Sequence, residues 1–360
     1  MGNIETGISK TRLVYIDFVR TIAVCMVFSS HFLAEIGKRA TVKGIQLSDT
    51  IPGGHVASYG SQGVFLFFMI TGVVLIHNYR DHLDLAAFYK KRFMSIYPMF
   101  WFCWIIAFLY LKRWKQFSFS FRNLLMTVTG FDGYLSFAGK NWYLIGEWFL
   151  GALILLYLLF PVVRKVFLMS PEETLAVIVI IWVIFTEKYA GQMGLLRTVP
   201  FVLTEMVFGM YYVTRIHRRT RFLPFFSVIL MAYIAVFGIW GAGTRGSYRQ
   251  LILFAAANFT VLCSAAEYVN KGIISRFCAA VGRYSYQVFL IHHVVLGRIA
   301  SKLPKETDLS PGRAVLLYLA AVVITGVLSV VITGVFNMIK KVCAGASCRI
   351  TGKTSKGNPE

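Results

Sequence analysis

Three ionisable side chains lie inside the first long apolar run of the chain, residues 13–34. A helix would place Arg20 and His31 on one face, because their separation of eleven residues is close to three turns, about 16 Å along the axis. Asp17 precedes Arg20 by one turn and can pair with it. Since imidazole titrates near neutral pH, His31 is a candidate general base for an attacking hydroxyl. The alternative is a histidine hydrogen-bonded to a neighbouring helix.

A cationic run, FYKKRFMSIYP at residues 88–98, precedes another apolar run. Cations and helix N-termini both favour anions, so Lys91 and Arg92 are candidates for binding phosphate groups. The alternative is an ordinary positively charged flank on the cytoplasmic side of a membrane span.

Two further apolar runs contain polar side chains. Glu147 lies in NWYLIGEWFLGALILLYLLFP, residues 141–161, where it must be neutral, paired or exposed to water, and Trp142 also fits a membrane-interface anchor. His292 and His293 are consecutive in a later run and would face about 100° apart on a helix, so we expect them to have different partners. Paired metal-binding histidines normally have i,i+4 spacing, and the chain has no C-x-x-C pair, so the sequence predicts no metal site.

The composition indicates that these residues lie in a membrane protein. Of 360 residues, 57% are hydrophobic and 15% are charged, whereas soluble globular proteins carry about 25% charged residues. Apolar runs extend along the whole chain, which predicts an all-α integral membrane protein without a sizeable soluble domain. A formal net charge of +21 also occurs in nucleic-acid-binding proteins, but the hydropathy favours basic residues beside anionic lipid headgroups and no nucleic-acid partner.

Crossing the hydrocarbon core requires about 20 residues, and the chain contains ten candidate spans. The stretch 121–136 is shorter and is interrupted by Gly130, Asp132 and Gly133, which predicts a re-entrant or interfacial segment. The ten predicted spans are 13–34, 56–78, 95–112, 143–163, 174–190, 196–214, 222–241, 249–269, 284–302 and 314–339.

The distribution of lysine and arginine predicts the orientation. With the N-terminus inside, the inside connections carry more basic residues than the outside ones, and an even number of spans returns the C-terminus to the same side. We therefore predict a multi-pass protein of the cell (inner) membrane with both termini in the cytoplasm. Its parts are an N-terminal segment at 1–12, a transmembrane domain at 13–339 and a polar tail at 340–360.

Together these segments resemble the membrane-bound acyltransferase-3 family, which includes O-acetyltransferases of bacterial surface polysaccharides. Five motifs carry the resemblance, in order, between about Tyr15 and His292. In the basic motif R-R-x-x-R-I-x-P, Lys91 replaces the first arginine and Ser95 the last. The matching residues are Arg20 and His31; GVFLFFMITG at 63–72; KRFMSIYP at 91–98; Trp142, Leu144, Glu147 and Pro161; and Ser285, Tyr286, Phe289, Leu290 and His292.

The resemblance implies a catalytic role for His31 and acyl-CoA as the donor substrate, with no bound cofactor. We predict that Glu147 either forms a hydrogen bond that orients His31 or handles protons. The implied donor- and substrate-binding residues are Arg20, Lys91, Arg92, Trp142, Ser285, Tyr286 and His292. Many relatives carry an additional extracytoplasmic hydrolase-like domain. Without one, we expect this chain to acylate its acceptor itself or to pass the acyl group to a separate protein.

The predicted function is therefore O-acylation of a cell-surface polysaccharide or its lipid-linked precursor. His31 would act as a general base or form a covalent acyl-histidine that relays the acyl group across the membrane. Acetyl is the expected acyl group and succinyl the next. Two alternatives are a secondary transporter with Arg20, His31 and Glu147 as a proton relay, and a non-catalytic component of a polysaccharide export complex. The chain shows no two-fold hydropathy repeat, which argues against the transporter.

Overall fold

The computed structural model shows a chain built almost entirely from α-helices, over residues 13–42, 55–111, 120–135, 142, 144–145, 147–188, 195–217, 222–237, 245–269 and 271–350. Two short strands, β1 (Ala40–Val42) and β2 (Thr307–Leu309), pair in parallel, and a π-helical turn (Tyr212–Ile216) extends α7. The helices in these ranges are α1 (Val14–Gly37), α2 (His55–Tyr79), α3 (Leu85–Leu111), α4 (Phe121–Thr129), α5 (Glu147–Met169), α6 (Pro171–Lys188), α7 (Leu195–Tyr211), α8 (Leu223–Phe237), α9 (Arg245–Val269), α10 (Gly272–Ser301) and α11 (Pro311–Ile350).

Each predicted span overlaps one of these helices, and the short interrupted segment overlaps α4. The protein is an all-α, multi-pass membrane protein. The count of ten crossings and the cytoplasmic position of both termini stay predictions. By length and composition, six described helical stretches can cross a membrane: Val14–Gly37, Gly60–Tyr79, Leu85–Leu111, Trp148–Met169, Leu251–Val269 and Pro311–Cys343.

Two helices extend beyond the limits that hydropathy indicated. The cationic run at 88–98 lies within α3, which begins at Leu85, so it does not precede the helix as its polarity suggested. Pro98 is accommodated inside this helix, although it marked the start of the predicted span. Helix α11 continues to Ile350, well into the predicted polar tail. In both cases hydropathy located the edge of the apolar run, which is not the end of the helix.

Helix α4 is short because glycine ends it. Gly130 adopts a left-handed conformation with φ of 78° immediately after the helix, and its backbone N–H donates to the carbonyl oxygens of Met126 and Thr127. Glycine adopts positive φ without the steric penalty of a Cβ atom, which makes it the usual helix terminator. The helix is thus interrupted at Gly130, and the re-entrant or interfacial placement of this segment stays a prediction.

Helix α2 lies between α1 and α7, and two of its glycines allow close contact with them. A Cβ atom on Gly63 would lie 2.7 Å from the carbonyl oxygen of Ala23 on α1. A Cβ atom on Gly72 would lie 1.9 Å from the carbonyl oxygen of Met206 on α7. Small residues let membrane helices approach this closely. The glycines that open and close the GVFLFFMITG motif therefore fix α2 against both neighbours.

Helix α1 packs along α10, and the strand pair joins their ends. Strand β1 follows α1 and pairs with β2, which follows α10, with Ala40 opposite Thr307. The Thr41 hydroxyl donates a hydrogen bond to the Asp308 carboxylate across this pair. A buried apolar cluster that includes Phe32 and Leu309 lies beneath the strands. The strand pair therefore links the end of α1 to the segment that follows α10.

Candidate active site

The site is built from two facing stripes of side chains on α1 and α10. Arg20 and His31 both face α10, as their spacing predicts, and Val24 and Phe28 lie between them on the same face. Ser285, Phe289 and His292 form the corresponding stripe on α10. The i, i+3/i+4, i+7 spacing on each helix keeps its stripe on one side. The two stripes line a groove that leads from an arginine to a group of imidazoles.

A cavity of about 290 Å³ opens at the arginine end of this groove. Its lining comes from α1, α2, α3, α5 and α10 and includes Ser95, Tyr157 and Tyr286. Among the residues that the structure describes, the charged side chains lining it are those of Arg20 and Arg92, which give this wall a positive charge. A cavity with this charge favours an anionic ligand, and guanidinium groups bind phosphate in a bidentate manner.

Arg20 is held by the residue one turn before it. Its Nη1 lies 3.3 Å from Oδ1 of Asp17, which confirms the predicted pair, and the Asp17 side chain is buried. Gly282 on α10 leaves room for this pair, because a Cβ atom there would lie 3.1 Å from Asp17 Oδ1 and 3.4 Å from Arg20 Nη1. The pair fixes the guanidinium at the cavity wall.

Arg92 is held by aromatic rings. Its guanidinium carbon lies 5.7 Å from the ring centre of Tyr79, 5.6 Å from that of Phe88 and 5.2 Å from that of Tyr157, and Nη2 donates a 3.2 Å hydrogen bond to the Tyr79 hydroxyl. Such cation–π contacts stabilise a partly buried cation. Its Nε is buried and has no hydrogen-bond partner among the described residues. The side chain is therefore preorganised at the cavity wall.

Three histidines from two helices meet at the other end of the groove. The ring centre of His31 lies 5.1 Å from that of His292 and 4.2 Å from that of His293, and the last two are 4.3 Å apart. The expectation that His292 and His293 have different partners is wrong. They do face different directions on α10. His31 on the adjacent helix lies between their two rings and contacts both.

The tautomer of His292 follows from its hydrogen bonds. Its Nδ1 lies 2.8 Å from the carbonyl oxygen of Phe289 and 3.1 Å from that of Val288. Because carbonyl oxygens only accept, Nδ1 carries the hydrogen, and in the neutral ring Nε2 presents its lone pair. That Nε2 is buried and has no hydrogen-bond partner in the described parts of the chain. His292 therefore offers a proton-accepting atom inside an apolar environment.

The same three imidazoles are the residues that could hold a metal ion. One nitrogen from each ring lies within 4.8 Å of the others. Nitrogens bound to one tetrahedral zinc ion lie about 3.4 Å apart, so binding would require the rings to turn inward. The sequence-based expectation of no metal site stays a prediction, which a chelation experiment can test.

A small pocket shares lining residues with the cavity and borders the imidazoles. Its volume is about 20 Å³, and it shares Phe67, Ser285 and Phe289 with the larger cavity. His292 also lines it, together with Val24 of α1 and Val288 of α10. The cavity and the pocket are therefore neighbours along the groove, between the two arginines and the histidine cluster.

The remaining predicted residues are divided between the groove and other positions. Ser285 and Tyr286 line the cavity, where the Ser285 hydroxyl donates to the Gly282 carbonyl oxygen and the Tyr286 hydroxyl to that of Ile96. Lys91 is exposed and does not line the cavity, although it precedes Arg92. Trp142 is half-buried and also does not line it. The side chain of Glu147 lies outside the described residues, so its proposed contact with His31 stays a prediction.

Two buried carboxyl groups lie outside the predicted site. Glu205 on α7 is fully buried, and neither of its carboxyl oxygens has a hydrogen-bond partner within the described ranges. The criterion that singled out Glu147, an acidic residue inside an apolar run, also identifies Glu205. Asp132 accepts a 2.6 Å hydrogen bond from the Thr127 hydroxyl, and burial raises the pKa of Asp132 to about 6 while this hydrogen bond opposes the shift. Neither residue lines the groove.

The comparisons with known proteins identify the class of this helical membrane fold, in which an arginine-lined cavity lies near a histidine cluster. The family described as "Acyltransferase domain" matches residues 13–337, and the chain belongs to this acyltransferase-3 family of enzymes. Acyltransferase MdmB of Streptomyces mycarofaciens is 24% identical over 281 residues, which cover 67% of this chain and 70% of that protein. No solved structure matches the chain.

Proposed function

We propose that the protein transfers an acetyl group from acetyl-CoA to a hydroxyl of a cell-surface polysaccharide or its lipid-linked precursor. The observation that carries this proposal is the single groove that has two arginines at one end and an imidazole cluster at the other. An acyl-CoA has a matching arrangement, with phosphates at one end and a thioester at the other. The acyltransferase family supplies the reaction class.

The donor phosphates bind at the arginine end of the groove. Arg92, whose guanidinium is stacked on aromatic rings, holds one phosphate, and Arg20 lines the same cavity. The thiol arm extends along the groove past Ser285 and Phe289, which line both the cavity and the small pocket. The distance from Arg20 to His31 along α1 is about 16 Å, so the donor must be extended.

At the histidine end, His31 takes the proton of the acceptor hydroxyl as the oxygen attacks the thioester carbonyl. A C–O bond forms and the C–S bond breaks. The proton then passes from His31 to the departing thiolate, which leaves as CoA with a free thiol. His292 contacts the His31 ring and lies at the wall of the pocket that receives the acyl group. Direct transfer of this kind requires the acceptor hydroxyl to reach His31 while the donor is bound.

The protein acts in the membrane, surrounded by lipid, with acyl-CoA and a glycan or lipid-linked glycan as its partners. The cell (inner) membrane is the location at which cytosolic acyl-CoA and a lipid-linked glycan precursor meet. The excess of basic over acidic residues, 37 against 16, also suits contact with anionic headgroups.

The test is acceptor-dependent donor consumption by the purified protein in lipid vesicles. Release of free CoA thiol from acetyl-CoA should require a lipid-linked glycan fraction, and mass spectrometry should find that glycan heavier by one acetyl group. Glycans from cells that lack the gene should lose the modification and regain it with the wild-type chain. Purified protein that binds acetyl-CoA but never acetylates any fraction from its own membrane would contradict the proposal.

A further inference from the structure

The small pocket at the histidine end has a specific size and chemistry. Its lining residues are Val24, Val27, Phe28, Phe67, Ser285, Val288, Phe289 and His292. All but two of these side chains are hydrocarbon, and none carries a permanent charge. Its volume of about 20 Å³ exceeds the roughly 10–15 Å³ needed to hold one water-sized group. It can therefore enclose about one methyl group.

We infer that this pocket binds the acyl chain of the donor and that Val24 and Val288 limit its length. This inference rests on the proposed acyl-CoA reaction and adds which acyl groups the enzyme accepts. A thioester carbonyl beside His31 would place its acyl carbon next to His292, at the pocket wall. An acetyl methyl fills the available volume. Each further methylene would press against the lining side chains.

The side chains that line the pocket differ in how tightly they pack against the rest of the protein. Phe28 is buried and its ring packs against Tyr318, with ring centres 5.9 Å apart. Val27 packs at the glycine contact between α1 and α2, 2.8 Å from the position of a Gly63 Cβ atom. Val24 and Val288 are half-buried and line the pocket from opposite helices. They are the residues at which a change enlarges the pocket with the least effect on other packing.

The same lining discriminates against a charged acyl chain. The carboxylate of a succinyl group would need a cation or several hydrogen-bond donors in the pocket, since burying an unpaired charge is costly. Ser285 donates its hydroxyl hydrogen to the Gly282 carbonyl oxygen, and His292 donates its Nδ1 hydrogen to the backbone. The pocket therefore selects a short, uncharged acyl group, with acetyl preferred over propionyl and both preferred over succinyl.

The experiment compares acetyl-, propionyl-, butyryl- and succinyl-CoA as donors for three forms of the protein in vesicles. These are the wild type, the double variant Val24→Ala/Val288→Ala and the matched control Val294→Ala. Val294 is a half-buried valine on α10 that lines neither the pocket nor the cavity. Rates are expressed per mole of folded protein, with thermal stability measured for each form.

The wild type should lose efficiency at each added methylene, and the double variant should raise the butyryl-to-acetyl ratio of kcat/KM at least tenfold, since one methylene in an apolar pocket changes this ratio by about 10–200-fold. The control should keep the wild-type ratio. A wild type that uses butyryl- or succinyl-CoA as well as acetyl-CoA, or an unchanged ratio in the folded double variant, would overturn the inference while the acyltransferase proposal stands. No transfer from any donor by the wild type would overturn both.

Discussion

The two ends of the groove between α1 and α10 differ in charge, volume and hydrogen bonding. The arginine end has a cavity of about 290 Å³ and two permanent cations that are held by Asp17 and by aromatic rings. The histidine end has a pocket of about 20 Å³ and three imidazoles, which carry ring nitrogens that can accept or donate a hydrogen. Phosphate binding requires a constant charge, whereas proton transfer requires a group that gains and loses a proton. Here the two functions lie at separate ends of the groove.

The separation has a mechanistic consequence. A cation that must hold phosphate gains from a fixed position and constant charge, which Arg92 has through its stacking. A base must instead take up and release a proton within one catalytic cycle. Since about three turns of α1 lie between Arg20 and His31, mutations at one end should leave the function of the other end intact. Mutations at each end test whether the two ends of the groove act independently.

The largest effect is expected at His31. His31→Gln keeps hydrogen-bonding capacity but cannot act as a base, so transfer per folded molecule should fall by about 10²–10⁴-fold. Acetyl transfer in vesicles measures this effect, with thermal stability recorded alongside. If His31 only packs against its neighbours, the variant would be less stable but equally active per folded molecule.

At the arginine end, Arg92→Lys should raise the KM for acetyl-CoA about tenfold or more, because ammonium cannot reproduce the bidentate contact and aromatic stacking of guanidinium. The matched variant is Lys91→Gln, next to it but exposed. Its effect should be roughly twofold at most, since exposed charges interact weakly. Equal changes in KM for the two variants would assign the effect to general surface charge and remove Arg92 from the donor site.

The scaffold that holds both ends should depend on Gly72. Gly72→Ala would place a Cβ atom 1.9 Å from the Met206 carbonyl oxygen, and overpacking of this kind costs about 1–3 kcal/mol of unfolding free energy. Gly326→Ala on α11 is the control, because nothing lies within 4 Å of its Cβ position. Thermal unfolding in detergent should separate the two variants. Equal midpoints would show that α2 and α7 are not held together by this contact.

The smallest effect is expected from metal removal. If the imidazoles act in proton transfer without a metal ion, treatment with a chelator should leave acetyl transfer unchanged. The measurement is activity before and after chelation, followed by addition of Zn²⁺. Loss of activity that Zn²⁺ restores in the wild type, together with loss of bound zinc in His293→Ala, would instead place a metal ion at the histidine end.

Sequence patterns predicted most of the helices and the residues at both ends. Helical spacing placed Arg20 and His31 on one face and paired Asp17 with Arg20, because these relations are local to one helix and depend only on its period. The position of α4 followed from glycine, which is also a local signal. Hydropathy failed at the ends of α3 and α11, since a helix can continue beyond its apolar part.

What could not be predicted depends on how separate helices pack. The meeting of His31 with both His292 and His293 arises from the line along which α1 packs against α10, which neither helix encodes alone. The stacking of Arg92 on Tyr79 and Tyr157 joins α3 to α2 and α5. Lys91 and Arg92 are adjacent in sequence, yet only Arg92 lines the cavity, because the helical turn directs their side chains apart.

The central claim is that donor binding and chemistry occupy opposite ends of one groove. The most direct test measures acetyl-CoA affinity and single-turnover acetyl transfer on the same preparations of His31→Gln and Arg92→Lys. The account predicts that His31→Gln binds the donor with wild-type affinity but transfers at least about 10²-fold more slowly. Arg92→Lys should bind about tenfold more weakly yet transfer at nearly the wild-type rate once the donor is saturating. Near-wild-type turnover by His31→Gln, or an equal loss of affinity in both variants, would contradict the account.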